Sequence, residues 1–273
     1  MIKIAQMVRP LQAALDDIDT SVYLPRKRNR VPSVPLAVML AALVWFNCSG
    51  LSCFKRFVHL LLPVHLSRWR LSYSRWCYWR AQLASLLEAL ATGLCHKQGY
   101  RGVALVASTT LPICSIQRER DNKCFKGIAS KSCGSLGWFF GFKLHLITSD
   151  TGEILRFWLS TGKVHDTAPL YRPEFMRGLA GCLVGDSGYR VGKGRVTAKD
   201  AGLVLLARPV GVRNEHLPWP VRQLFQARWR IETAIGSLKD SFGLRASRAC
   251  RTPETFKATV YASLIAYTLA RRL

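Results

Sequence analysis

The sequence predicts an α/β protein in which helices flank a mixed five-stranded sheet, preceded by an all-α domain. Up to about residue 100, apolar residues recur at helical spacing, and from Arg101 onward short apolar or alternating runs typical of strands begin. These strand patterns then alternate with helical ones, which is the order of a sheet with helices on both faces. We therefore expect a helical domain over residues 1–100 and an α/β domain over residues 101–273.

Four helices are predicted in the first hundred residues, over 11–18, 36–47, 51–62 and 72–94. Ser72 or Ser74 is a suitable N-terminal cap for the fourth. Only Cys48, Ser49 and Gly50 separate the second and third, and a helix pair joined by a short glycine-containing turn is the outline of a helix-turn-helix. Any small helical bundle gives a similar pattern, so the motif stays one of two interpretations.

The second domain reads as five strands and three helices. The strands are predicted over 102–107, 138–148, 153–159, 182–185 and 203–207, and the helices over 169–179, 221–242 and 253–272. This is the order of the RNase H-like fold, in which strands one and four are neighbours. Neighbouring strands lie about 4.8 Å apart, so Ala107 and Asp186, at the ends of these two strands, are expected side by side.

The amino-acid composition indicates what kind of molecule the protein binds. The formal net charge is +24, with 49% hydrophobic residues, which is enough for a folded core. A chain this basic usually binds a polyanion such as DNA, although ribosomal and membrane-surface proteins share the property. The nine cysteines form no CxxC pair, which favours reduced thiols over a zinc site. No signal peptide is visible, and the apolar run over 34–46 is too short to span a bilayer, so we expect a cytoplasmic, nucleoid-associated protein.

A charged stripe marks the predicted helix over 221–242. Phe225, Arg228, Glu232 and Lys239 share one face at spacings of three, four and seven, and a second stripe beginning at Ile231 is apolar. One carboxylate between two cations suits a glutamate that binds a metal beside a phosphate backbone. An ordinary amphipathic helix with internal ion pairs gives the same pattern.

Several motifs resemble bacterial insertion-sequence transposases of the DDE class, most closely insertion-sequence family nine-eight-two. They are ASTTLP (107–112), FKGIA (125–129), GWFFGFKLHL (137–146), GDSGY (185–189), and IET with LK (231–233 and 238–239). Related transposases carry a Tyr, Arg, Glu, Lys signature whose spacing falls on Phe225, Arg228, Glu232 and Lys239. Phe225 lacks the tyrosine hydroxyl.

The resemblance implies a catalytic set of Ala107, Asp186, Glu232, Arg228 and Lys239. The three acidic ligands of the family map onto Ala107, Asp186 and Glu232, where two Mg²⁺ or Mn²⁺ ions are expected in an intact site. The alanine methyl cannot coordinate a metal, which leaves Asp186 and Glu232 as metal ligands. We therefore expect severely reduced DNA cleavage from this chain.

Arginine and lysine are the expected DNA contacts, since guanidinium and ammonium groups pair with phosphates. Indoles interleaved with them, as in Arg228-Trp229-Arg230, can stack on bases, but a helical tryptophan is more often part of a core. The expected DNA-binding residues are Arg26, Lys27, Arg28, Arg30, Lys55, Arg56, Arg70, Arg75, Arg80, Arg245 and Arg248.

Three polar positions keep a structural alternative. Asp186 precedes Ser187-Gly188-Tyr189 and could simply cap the next helix. Asp166, in the His165-Asp166 pair, is equally a helix cap or a group that supports the active centre. His145 lies on the polar face of its strand, and we interpret it as structural.

These observations favour a transposase that binds the terminal inverted repeats of an insertion sequence and target DNA, as a homodimer. The resemblance implies metal-dependent hydrolysis at the element's ends, followed by attack of the freed 3′ hydroxyl on target DNA. The alternative is an inactive DNA-binding protein or repressor derived from a transposase, which Ala107 favours. A structure-selective nuclease on the same fold is a third possibility, and it would also need a complete carboxylate set.

Overall fold

The computed structural model describes residues 3–24, 33–96, 98–134, 137–190 and 202–272. The chain forms two compact units. The first contains Met1–Leu94, Lys123–Phe125 and Ser237–Leu273, and the second contains Cys95–Asn122 and Lys126–Gly236. The change near residue 95 lies close to the expected boundary at residue 100. The C-terminal residues, however, group with the N-terminal helices.

The described α-helices are α1 (Ile4–Asp16), α2 (Leu36–Cys48), α3 (Phe54–Arg56), α4 (Leu62–His65), α5 (Tyr73–Gln82), α6 (Ala84–Cys95), α7 (Pro173–Met176), α8 (Trp219–Gln226), α9 (Trp229–Asp240) and α10 (Pro253–Ala270). A π-helical turn, Phe57–Leu61, joins α3 to α4. Among the described residues, no helix is both long and apolar enough to cross a membrane.

Two largely apolar helices that are buried on every side form the centre of the first unit. Residues 37–47 of α2 are all buried, as are residues 258–269 of α10, and the two helices pack against each other. A helix with no polar face can only be buried inside a protein or a membrane. This explains why the apolar run over 34–46 is so long without being a membrane span.

The first helix of the predicted pair forms as α2, whereas the second, predicted over 51–62, consists of α3, the π-helical turn and α4 and begins at Phe54. The rings of Phe46 and Phe54 lie 5.1 Å apart and those of Trp45 and Phe57 lie 5.3 Å apart, so aromatic contacts fix the pair. DNA binding by this pair stays a prediction. The single helix predicted over 72–94 is wrong: it is divided at the buried Leu83 into α5 and α6, and Ser72 caps α5 by accepting a bond from the Arg75 N–H.

The second unit is built on one mixed sheet. Its strands are β1 (Tyr100–Cys114), β2 (Ser130–Gly134), β3 (Gly137–Ser149), β4 (Ile154–Thr161), β5 (Leu179–Gly185) and β6 (Leu203–Ala207), in the order β2-β3-β1-β5-β6, with β4 also paired to β3. The first and fourth predicted strands, β1 and β5, are parallel neighbours as expected. At Gly141 of β3 a side chain would collide with the Leu111 carbonyl oxygen of β1, so this motif glycine permits the pairing.

Three features of the second unit differ from prediction. Strand β2 was missed because its sequence, SKSCG, is polar and lacks apolar alternation. The helix predicted over 169–179 is only a 3₁₀ turn, Ala168–Tyr171, and the four-residue α7, since Pro169 and Pro173 lack the N–H groups that a helix interior needs. The helix predicted over 221–242 is two helices, α8 and α9, separated at Ala227 and Arg228.

Candidate active site

The parallel pairing of β1 and β5 brings the two predicted strand-end positions together. Their register runs from Tyr100 opposite Leu179 to Leu105 opposite Val184. Continuing this register by two residues places Ala107 opposite Asp186, on the same face of the sheet. Ala107 is buried and also pairs with Leu146 of β3.

Asp186 has two roles, one for each carboxylate oxygen. Its Oδ1 accepts a hydrogen bond from the Gly188 N–H at 2.8 Å, so it caps the 3₁₀ turn Ser187–Tyr189, as the structural alternative predicted. Its Oδ2 lies 3.9 Å from Nη2 of Arg228. The side chain is 50% exposed, so capping does not close it off from a ligand.

The motif GDSGY folds tightly around this turn. A side chain at Gly185 would meet the Cβ of Tyr189 at 2.7 Å, so the glycine lets the tyrosine fold back against the strand end. Tyr189 is buried, and that burial, reinforced by the nearby charges of Asp166 and Asp186, raises the pKa of its hydroxyl. The turn that presents Asp186 is therefore anchored in the core.

Arg228 connects the two surviving carboxylates. Its Nη2 lies 3.7 Å from Oε1 of Glu232, in addition to its approach to Asp186. The arginine side chain is only 17% exposed, whereas Glu232 is 66% exposed. Arg228 Nε is buried and has no hydrogen-bond partner. One guanidinium thus lies between two acidic groups on a face that opens to solvent and offsets part of their charge.

The division between α8 and α9 sets the position of Arg228. The N–H groups of Arg230 and Ile231 bond to the carbonyls of Ala227 and Arg228, three residues back, which is a tighter turn than an α-helix. Phe225 belongs to α8 and is half-buried, so it does not share one continuous helical face with Arg228 and Glu232.

Lys239 lies in the last turn of α9 and belongs to the first unit, whereas Glu232 belongs to the second. Burial lowers the pKa of its ammonium group, and the neighbouring charge of Arg245 lowers it further. This environment disfavours the charged form of Lys239 relative to a freely solvated lysine. Its assignment to the catalytic set stays a prediction.

A second polar cluster lies on the other face of the sheet. Ser108 follows Ala107 in the strand and so points to the opposite face. Asp166 Oδ1 accepts bonds from Ser108 Oγ at 2.6 Å and from Lys143 Nζ at 3.0 Å. Burial acts to raise the pKa of Asp166, but the bonds from Ser108 and Lys143 and the lysine charge bring it below its usual value. The sequence analysis did not identify Ser108 and Lys143 as partners, because the contacts span 58 and 23 residues.

His145 and His165, the two histidines considered in the sequence analysis, make contacts inside the fold. The ring of His145 is fully buried, stacks on Trp158 with centroids 5.1 Å apart, and its Nε2 shares a hydrogen bond with Ser160 Oγ. Burial lowers the pKa of His145 to about 4. The ring of His165 bonds to Thr167 Oγ1. Both arrangements agree with a structural role for His145 and a local one for His165.

The donor set limits what metal this face can hold. In the described part of the chain, no group of three or more histidine, cysteine or acidic side chains is arranged to hold a metal ion. Asp186 and Glu232 fit one Mg²⁺ or Mn²⁺, which commonly uses one or two carboxylates together with water and substrate phosphate. They do not fit two ions, because Ala107 offers no oxygen to bridge them.

The expected DNA contacts that the structure describes all belong to the first unit. Lys55, Arg56, Arg70, Arg75, Arg245 and Arg248 are exposed. Arg80 differs: its Nη2 donates to Thr259 Oγ1 and Cys250 Sγ, and its guanidinium lies 4.6 Å from the Phe54 ring centroid. That guanidinium is used inside the fold. Arg26, Lys27, Arg28 and Arg30 lie outside the described residues.

Comparison with known protein families gives one match. Residues 97–252, more than half of the chain, match the family described as a transposase DDE domain. Comparisons with curated proteins and with solved structures gave no match. The matched residues include Ala107, Asp186, Arg228 and Glu232.

Proposed function

Because the chain belongs to the family of transposase DDE domains, we propose that it is the transposase of an insertion sequence whose DNA cleavage is impaired by Ala107. It binds the terminal inverted repeats of its element and a target DNA, and it acts as a homodimer on paired ends. Within the family, its motifs favour insertion-sequence family nine-eight-two.

One observation carries this proposal: Asp186 and Glu232 approach the same nitrogen of Arg228, next to a position where an acidic side chain is missing. Two carboxylates from distant segments are costly to bring together unless the site uses them. Their exposure, at 50% and 66%, leaves oxygens available to a ligand.

Each side chain has a chemical role in this proposal. Asp186 and Glu232 would hold one Mg²⁺ or Mn²⁺, which when bound supplies a positive charge to a phosphate oxygen. Arg228 offsets part of the charge of the two carboxylates before DNA binds and can pair with a phosphate oxygen afterwards. In hydrolysis water attacks phosphorus, and in strand transfer the freed 3′ hydroxyl attacks a target phosphorus and displaces the target strand's 3′ oxygen. Positioning and charge stabilisation are therefore the main contributions of the protein.

The exposed basic residues of the first unit supply DNA affinity. Lys55 and Arg56 begin the second helix of the helix pair, where a helix-turn-helix contacts DNA. Phosphate contacts of this kind release counterions, so binding should weaken steeply as salt concentration rises. Arg70, Arg75, Arg245 and Arg248 extend the same contribution.

Restoring the missing carboxylate tests the proposal. The DNA flanking the coding sequence supplies the duplex, and cleavage is measured with Mg²⁺ and with Mn²⁺. We expect Ala107→Asp to cleave at the element's ends at least ten-fold faster than the natural chain, and Ala107→Asn to show no gain. Binding of this duplex without cleavage by either form would instead support the second candidate, a DNA-binding repressor. Absence of binding at low salt would refute both.

A further inference from the structure

A pocket lies at the carboxyl ends of β5 and β6, one residue beyond Asp186. It has a volume of about 440 Å³ and is lined by Ser187 and by the loop that follows β6, residues 208–213. All of these residues belong to the second unit. Ligands of α/β proteins bind outside the carboxyl ends of the strands, so this pocket is a candidate binding site next to the acidic pair.

The loop that forms this pocket is anchored at both ends. The Arg208 N–H bonds to the Gly185 carbonyl oxygen at 3.4 Å, which continues the pairing of β5 with β6. Nη2 of Arg222, on α8, donates to the carbonyl oxygens of Glu215 and Leu217 at 3.1 and 3.3 Å. Because its ends are fixed, the loop holds its shape before a ligand arrives, which lowers the entropy cost of binding.

Arg208 is the unusual residue of this loop. It is half-buried, and among the residues that the structure describes none forms an ion pair or a hydrogen bond with its guanidinium. A charged group that loses solvent usually gains a partner, since its desolvation is costly. Arg213 differs, because its side chain is 81% exposed and its Nη1 lies 3.5 Å from Glu215 Oε1. A half-buried arginine without a partner in a pocket indicates a site for an anion.

We propose that this pocket binds a phosphate group of the DNA backbone through Arg208, with Arg213 as a second contact. A guanidinium matches two phosphate oxygens, and the exposed pair of Arg213 with Glu215 is weak enough to open for a phosphate. Because no carboxylate occupies Arg208, the contact needs no divalent metal, unlike a contact through Asp186 and Glu232. The inference rests on the proposed function for the identity of the ligand.

The salt dependence of DNA binding tests this contact. Fluorescence anisotropy measures binding of a labelled duplex to the full chain in EDTA, over a series of NaCl concentrations. We expect Arg208→Gln to weaken binding by about five-fold to thirty-fold and to lower the slope of log K against log salt concentration by about one, the change for one lost phosphate contact. Arg208→Lys, which keeps the charge, should keep the slope. Replacing EDTA with Mg²⁺ should leave these differences unchanged.

Arg101→Gln is the matched control, because it removes the same charge from an exposed position of the same unit. Arg101 lies at the amino end of β1, at the other end of the sheet from Asp186. Equal changes of affinity and slope in Arg208→Gln and Arg101→Gln would overturn the inference. The same holds if Arg208→Gln binds like the natural chain, or if it differs only when Mg²⁺ is present.

Inorganic phosphate distinguishes DNA from free phosphate as the ligand. When it replaces chloride at equal ionic strength, it should release the duplex from the natural chain more than from Arg208→Gln. If Arg208→Gln lost this response but kept its affinity for the duplex, the pocket would bind free phosphate and the DNA contact would be refuted.

Thermal unfolding shows whether Arg208→Gln folds. If it does not, Arg213→Gln becomes the test, since that side chain is 81% exposed. It should lower the salt slope in the same direction, and an unchanged slope would overturn the inference. Failure of these variants to differ from the natural chain would leave the proposed function standing, whereas absence of duplex binding by the natural chain at low salt would refute the proposed function itself.

Discussion

Ala107→Asp should make the stability of the protein depend on divalent metal. The register of β1 and β5 places the new carboxylate opposite Asp186, at the strand separation of about 4.8 Å. Without metal, two like charges then face each other beside one cation, Arg228. With metal, the same three carboxylate positions form a binding site that the natural chain lacks.

The loss of folding stability that Ala107→Asp causes without metal follows from Coulomb's law. At about 5 Å and an effective dielectric constant of about 20, the repulsion is about 3 kcal/mol. Asp186 is 50% exposed and Arg228 lies 3.9 Å from its carboxylate, so solvent and the cation reduce the net loss to about 1–2 kcal/mol. In a domain of this size that corresponds to a fall in Tm of about 2–8 °C.

Bound metal should turn this loss of folding stability into a gain. An ion present at about one hundred times its Kd stabilises the folded state by about 2.7 kcal/mol, which exceeds the net repulsion. Scanning calorimetry in EDTA and along a MnCl₂ titration measures both effects on the same variant. The natural chain, with two carboxylates, should respond more weakly at each Mn²⁺ concentration.

Ala107→Asn is the control, since it has nearly the same shape and no charge. We expect it to show neither the loss in EDTA nor the added response to Mn²⁺. If Ala107→Asp and Ala107→Asn had the same Tm in EDTA and the same response to Mn²⁺, position 107 would not face Asp186. That result would refute the reasoning from strand register.

Three further variants test the structural side chains. His145 has a pKa of 6.5 in the unfolded chain and about 4 in the folded protein, so between these two values only the unfolded chain binds a proton there. The free energy of unfolding should therefore fall by up to about 3 kcal/mol as the pH is lowered through this window. Chemical denaturation of His145→Gln should show a shallower fall, with the exposed His59→Gln as control. Arg80→Ala should lower the free energy of unfolding by about 2–3 kcal/mol, because it removes charged hydrogen bonds and ring contacts. Substitution of the exposed Arg75 by alanine is the control and should cost less than about 0.5 kcal/mol. Equal losses in the two variants would contradict the buried role of Arg80. Lys143→Met should cost about 1–2 kcal/mol at neutral pH. Because the pKa of folded Asp166 lies below its ordinary value of 3.8, this loss should begin to shrink below pH 3.8 and disappear only when the folded carboxylate is protonated. A pH-independent loss would point to packing instead.

The local patterns of the sequence determined much of this protein. The apolar run over 34–46 predicted the buried helix α2, and the alternating GWFFGFKLHL run predicted the central strand β3. The order of strands and helices predicted that β1 and β5 are neighbours, which their pairing confirms up to Leu105 and Val184. Such features follow from periodicity and chain order, which a sequence displays directly.

Tertiary contacts decided where some helices end, which charged side chains pair and which segments group together. The division between α8 and α9, which brings Arg228 to both carboxylates, interrupts a run whose periodicity is helical throughout. The ion pair of Lys143 with Asp166 joins residues far apart in sequence, and the C-terminal helix groups with the N-terminal helices. Helical and strand spacing depend on nearby residues, whereas charge pairing and helix ends depend on segments that meet only when the chain folds.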